Sequence, residues 1–444
     1  MTVITRRSLM LAGIGVVGTA PLDARDGATA AGSPSLVSAS SSAVAEHDHR
    51  RSHDGRERTV KLVAAAAPVD LGGMSVNTWT FSGQLPGQEI RMTAGDALVA
   101  ELVDNLPAAT SVHWHGMAVP NDMDGFPPVT QRAVPAGGAF TYQFTGGVPG
   151  TYWFHSHVGV QRDRGLYGAL IVEDPHEPLS YDDEWVVVLD DWLDGVTGTP
   201  DEALAELSHG MGGMGTGGMS GTPGTGTATR IDGTAMGPSA SPSSSPKPGT
   251  FTLTGATSPL LGGDAGDVKY PYHLVNGRLA TAPAVHRAKP GARVRLRIIN
   301  AGGDTAYRLA LGGHTMTITH TDGYPVAHQD TDALLLGMGE RYDVLVTLKD
   351  GVFPLVALAE GKNATGLALI RTGYGQAPSS TVRPSELDCR LVTADQLRAC
   401  DQVRLPARTP DVTHQVNLTG GMPGTTGRST AAASTCATRP PRRS

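Results

Sequence analysis

The 444 residues carry 35 Lys and Arg against 42 Asp and Glu, a formal charge of -7, with 39% hydrophobic and 5% aromatic residues, 57 Gly and 31 Pro. A chain of this length divides into two or three domains, and its Gly- and Pro-rich, aromatic-poor texture fits short strands joined by turns better than long helices. The charge balance offers neither a basic stripe for nucleic acid nor a polybasic tail for anionic lipid, which leaves a small molecule as the expected substrate.

The chain opens on Thr5-Arg6-Arg7-Ser8-Leu9-Met10, an apolar run Leu9 to Val17 and small residues up to Ala31. This pattern predicts a twin-arginine signal over residues 1–31, passage through the twin-arginine export machinery, and an extracellular or cell-envelope location. The apolar run is shorter than the roughly 20 residues a spanning helix needs, so no membrane span is expected once the signal is removed. Residues 32–57, rich in Ser, Ala, His and Arg with His47, His49 and His53, read as a disordered leader.

From 58 to 178 short alternating segments such as Ala97 to Val103 and Phe140 to Phe144 are separated by Pro and Gly turns, which predicts a β-sandwich. The same texture returns over 179–375, in Glu184 to Leu189, Arg293 to Ile299, Thr315 to Thr319 and Asp343 to Leu348. Between its halves lies a Met-, Gly- and Ser-rich stretch, 205–250, too poor in apolar residues to fold alone and therefore expected to be a mobile loop. It holds His209, Met211, Met214 and Met219. Two readings are open for them: soft donors for Cu(I), or incidental residues of a linker. Residues 376–410 read as a linker, and a new strand opens at Val412 to Asn417. Cys389 and Cys400 either pair in an oxidising compartment or are unrelated thiols, and no chemistry is assigned to them or to Cys436.

Two motifs in the first β region carry the chemistry: His113-Trp114-His115-Gly116 and His155-Ser156-His157. Side chains two apart on a strand share a face, so each His-x-His pair presents two imidazoles together, and two such strands bring four to one place. A lone His is usually a satisfied core residue, whereas four on one face are hard to explain by packing. Neutral imidazole suits copper.

With these motifs in view, the chain resembles the multicopper oxidase family. The surrounding segments Asn121 to Gly125, Tyr270-Pro271-Tyr272, Leu274 to Arg278, His320 to Val326 and Gly339 to Asp343 are similar to its cuprous and phenol oxidising, laccase-like branch of actinobacterial type. The resemblance covers about residues 58–421. It implies an all-β fold of tandem cupredoxin-like Greek-key sandwiches, copper as cofactor, and oxidation of Cu(I) or phenols with four-electron reduction of O2 to water. It also implies that His113 binds a type 2 copper, that His115, His155 and His157 bind a type 3 pair, and that Asp124 passes protons to reduced oxygen.

The family pattern further requires four more cluster histidines and a Cys-bearing type 1 site from a third domain. After His328 the sequence holds one His, His414, and no Cys has a His neighbour. Type 2 and type 3 sites are therefore expected to be half present and the type 1 site absent. Residues 376–424 then read as a linker and the start of a third domain, and 425–444 as an out-of-frame tail. Adding one base before the tail's codons permits Y-D-W-A-I-D-G-R-R-F-D-L, the segment the family leads one to expect there. Three readings follow: an oxidase complete only with its third domain, a copper-binding protein without turnover, or an inert remnant.

Overall fold

The computed structural model describes residues 42, 55–210 and 249–409. The signal, the leader histidines, Met211, Met214, Met219, Cys436, the third-domain opening and the tail lie outside them, as does the side chain of His209. Among the described residues strands dominate, and no helix is long and apolar enough to cross a membrane.

The first domain is built from β1 (Glu57–Asp70), β2 (Ser75–Phe81), β3 (Gly87–Thr93), β4 (Ala97–Asp104), β5 (His113–His115), β6 (Ala139–Thr145), β7 (Gly150–His155) and β8 (Tyr167–Glu173). They form two four-stranded sheets, ordered β2-β1-β4-β6 and β3-β8-β7-β5. In β4 the period of two is visible: Leu98, Ala100 and Leu102 are fully buried between half-buried neighbours. These residues pack with Leu62, Phe81, Trp114, Tyr142, Phe154 and Leu170 as the domain core.

The second domain comprises β9 (Asp183–Trp192), β10 (Tyr272–Val275), β11 (Ala284–Arg287), β12 (Arg293–Asn300), β13 (Tyr307–Leu311), β14 (Met316–Thr321), β15 (Tyr324–Thr331), β16 (Ala333–Leu336), β17 (Arg341–Thr347), β18 (Val352–Ala359), β19 (Ala364–Arg371) and β20 (Leu391–Val392). Two six-stranded sheets result, β10-β9-β12-β17-β14-β15 and β11-β19-β18-β13-β16-β20. Where the two domains meet, Trp153, Tyr167 and Ala169 of the first pack on Val188, Ile299 and Ala301 of the second. The imidazole strands β5 and β7 lie in the sheet that makes this contact.

Two sequence expectations need correction. The stretch 205–250 is not loop at its start, because a helix α1 spans Pro200–Gly210. Thr199 and Glu202 form a capping box, the Glu202 carboxylate accepting from the Thr199 N–H at 2.8 Å and the Thr199 hydroxyl accepting from the Glu202 N–H at 3.3 Å, with Pro200 at the first helical position. From the same helix Glu206 accepts hydrogen bonds from the N–H groups of Thr250, Phe251 and Thr252, which fastens the returning chain. The second correction concerns 376–410, which is not a free linker over most of its length. Leu387 is fully buried against the second domain, β20 pairs in parallel with β16, and Val326 bridges to Ala399.

Candidate metal centre

β5 and β7 pair antiparallel, with His113 opposite His155, Trp114 opposite Phe154 and His115 opposite Trp153. Trp114 turns into the core and is fully buried, with Tyr142 and Phe144 edge-on to it, so the histidines on either side face the opposite way. β7 ends at His155. His157 lies beyond the strand, yet the turn that carries it is fixed: the Ser156 hydroxyl donates to Gln161 Oε1 at 2.7 Å, and Gln161 Nε2 donates to the Ala109 carbonyl at 2.8 Å. The rings of His113, His155 and His157 are consequently 5.0 to 5.4 Å apart, centroid to centroid. One nitrogen from each of these three lies within 4.8 Å of the others, and among the described residues this is the one such group of donors. His115 joins from the side, its Nδ1 3.2 Å from Nε2 of His155.

Backbone carbonyls orient two of the rings. Nδ1 of His113 is 2.8 Å from the Asp124 carbonyl, and Nδ1 of His155 is 2.9 Å from that of Ser156. A carbonyl only accepts, so in the neutral ring each Nδ1 carries the proton and Nε2 is the nitrogen with the lone pair, the arrangement usual for a ligating histidine; in His155 that nitrogen faces His115 Nδ1. Burial, reinforced by Arg341, His113 and Arg162, holds His115 well below the usual imidazole range. Burial with His115, His113 and Arg162 does the same for His155, and burial with His113 and Arg162 lowers His157 to about 4. These three rings are neutral at pH 7. Imidazole nitrogens brought this close together fit a copper ion.

Asp124 sits at the rim. Its backbone carbonyl holds His113, while its half-exposed carboxylate lies 3.3 Å from the same ring nitrogen. Sequence reasoning did not single out Trp153, which is buried, lies nearly parallel to both His115 (30°, 4.8 Å) and His155 (31°, 4.3 Å), and so fills the space behind two imidazoles. Phe126 meets His157 edge-on at 4.4 Å. Arg162 was also not foreseen. It pairs with Asp163 and adds positive charge beside the cluster, and nothing local in the sequence marks it. Cys389 and Cys400 are free thiols.

The multicopper oxidase family models match residues 63–177 and 183–375. A multicopper oxidase of Mycobacterium tuberculosis, MmcO, is 45% identical over 88% of this chain and 71% of its own length. Laccase-2 of Cryptococcus neoformans is 31% identical over 74% of the chain, which spans only 52% of that protein. The crystal structure of Fet3p, described as a multicopper oxidase that functions in iron import, shares the fold with a TM-score of 0.61 and 21% identity, covering 80% of this chain and 59% of its own. The paired His-x-His strands, the two β-sandwiches and these matches together show that the chain belongs to the multicopper oxidase family.

Proposed function

We propose that the chain is the imidazole-bearing part of an exported copper-dependent oxidase that acts on Cu(I) or phenols and reduces O2 to water. The observation that carries this reading is the convergence of ring nitrogens from His113, His155 and His157 within 4.8 Å, with His115 against His155. Copper bound there would supply the redox chemistry, taking electrons from the substrate and delivering four of them to oxygen. The protein's part is to hold four imidazoles in fixed orientation, two through backbone carbonyls and two through aromatic contacts. Trp153 and Phe126 keep water from the sides of the rings, and the half-exposed Asp124 carboxylate is the group positioned to take protons from solvent toward the site. In the family's arrangement His113 serves the type 2 copper and His115, His155 and His157 the type 3 pair.

The four imidazoles are half of the family's cluster. Turnover therefore requires further ligands and a Cys-bearing electron-accepting site, which the described residues do not contain. A second reading, copper holding without turnover, is favoured by the fact that three convergent imidazoles suffice to bind one ion on their own. Oxygen uptake decides between them. The copper-loaded chain, supplied with a third cupredoxin-like domain carrying the second set of histidines, is expected to consume O2 with Cu(I) or a methoxyphenol, and His155→Ala is expected to abolish this. Copper binding without any oxygen uptake in the completed protein would leave the copper-holding reading.

A further inference from the structure

The ring of His115 is approached directly by a backbone turn of the second domain. His113 and His155 are each anchored through Nδ1 to a backbone carbonyl. His115 has no such anchor among the described residues, since its Nδ1 faces the His155 ring instead. Trp153 covers one of its faces. What closes on its free edge is Gly339, in the turn before β17: a Cβ placed there would lie 2.9 Å from Cε1 and 3.1 Å from Nε2 of His115, closer than side-chain carbons pack. Gly339 has φ +79°, a left-handed conformation that glycine adopts without cost.

The turn is pinned on all sides. The Gly339 N–H donates to the Asn300 carbonyl at 2.9 Å, and the Gly337 N–H donates to the Glu340 carboxylate at 2.6 Å. The Gly339 carbonyl accepts from Arg341 Nη1 at 3.0 Å. Arg341, only 4% exposed, reaches across the domain boundary: its Nε donates to the Thr151 carbonyl on β7 at 3.2 Å, while its Nη1 pairs with Asp322 at 3.0 Å. Its guanidinium occupies the space beside Gly116, the residue after His115, where a Cβ would collide with it. One buried arginine thus touches the turn after His115, the strand that carries His155, and the glycine against the His115 ring.

We propose that Gly339 and Arg341 are positioning residues that set the His115 imidazole from the second domain, so that correct docking of the two domains completes the geometry of the copper cluster. The proposal rests on the copper reading given above, and its test separates the two. In the purified full-length chain, histidine ring nitrogens are followed by long-range proton–nitrogen NMR without metal, and Cu(I) affinity is measured by competition with a chromogenic chelator. Gly339→Ala is expected to move the His115 ring resonances and to weaken Cu(I) binding by about 10- to 100-fold, the range typical when the support of a metal ligand is lost. Gly291→Ala is the control, because Gly291 has the same left-handed backbone, φ +81°, but open space around its Cβ position, and is expected to change neither reading. Arg341→Lys keeps the charge but loses the fork that joins Thr151 and Gly339, and is expected to move the same resonances by a smaller amount.

If Gly339→Ala leaves the ring resonances and Cu(I) affinity at the Gly291→Ala values, or if both variants shift them equally, the proposal is overturned. If the unaltered chain binds no Cu(I) at all, the copper reading fails instead, and the ring resonances still decide whether Gly339 sets His115. Should Gly339→Ala not fold, Arg341→Lys carries the same two readings.

Discussion

The Thr151 hydroxyl on β7 donates a 2.6 Å hydrogen bond to the Asp343 carboxylate on β17, and both residues are 1% exposed. The same carboxylate receives Arg295 at 2.6 Å and Arg297 at 3.1 Å, and Arg297 also donates to the Thr151 hydroxyl at 3.1 Å. The second domain thereby grips the strand that ends at His155, four residues further on. Thr151→Val removes one partner of a buried network and is expected to cost about 1–3 kcal/mol in urea unfolding. Asp343→Asn removes the charge that the two buried guanidinium groups share, leaving Arg295 with Glu177 and Arg297 with Glu184, and is expected to cost more than Thr151→Val, on the order of 3 kcal/mol. Equal effects of the two substitutions would mean that the carboxylate's charge is not what matters.

The pH dependence of that network has a definite sign. Burial alone raises the Asp343 carboxyl, but Arg295 and Arg297 outweigh it and hold the group below its ordinary value of 3.8. A depressed folded-state pKa contributes stability that is fully present above the unfolded value and lost as pH falls through the folded one. Asp194 is the opposite case. Burial, with Asp201 and Glu202 adding, pushes it up to about 6 despite the Thr78 hydroxyl at 2.7 Å and Arg164 at 3.4 Å. Its stabilising contribution is complete below about pH 4 and lost as pH rises through 6. Asp194→Asn is therefore expected to be more stable than the parent at pH 7, by roughly 2 kcal/mol, with the difference shrinking toward pH 4. Parallel stability curves for parent and variant across that window would contradict this.

Tyr142 supports the metal centre from the core. Its hydroxyl accepts the N–H of Val112, the residue before His113, at 2.9 Å, and the ring packs edge-on to Trp114. Tyr142→Phe keeps the ring but leaves a buried N–H without its partner, which is expected to cost about 1–3 kcal/mol. Amide exchange at Val112 should then accelerate by more than exchange in the second-domain core. Unchanged protection at Val112 would show that the bond contributes nothing.

The sequence made the imidazole pairs legible because His-x-His on a strand is a local pattern with a geometric consequence. The rule held for His113 and His115 across Trp114. For the second pair it worked for a different reason, since β7 stops at His155 and the turn held by Ser156 and Gln161 brings His157 in. The alternation in β7 was invisible, because every residue from Gly150 to His155 is buried on a strand covered on both faces. The capping box Thr199-Pro200-Asp201-Glu202 was a readable helix start, obscured by the low-complexity stretch that follows. Leu387 and Val392 were hidden because isolated apolar residues that each fill one gap show no period. Gly339, Arg341 and Arg162 stand far from the histidines along the chain, and contacts of that kind leave no local mark.

On the function proposed above, His113, His155 and His157, with His115 beside them, hold copper in this chain. Its most direct test is an anomalous difference map, collected at the copper absorption edge, from copper-soaked crystals of the 444-residue protein. A peak is expected within bonding distance of Nε2 of His113, Nε2 of His155 and a ring nitrogen of His157, lost in crystals of His155→Ala. A map with no peak there, or with copper only on other residues, would contradict it.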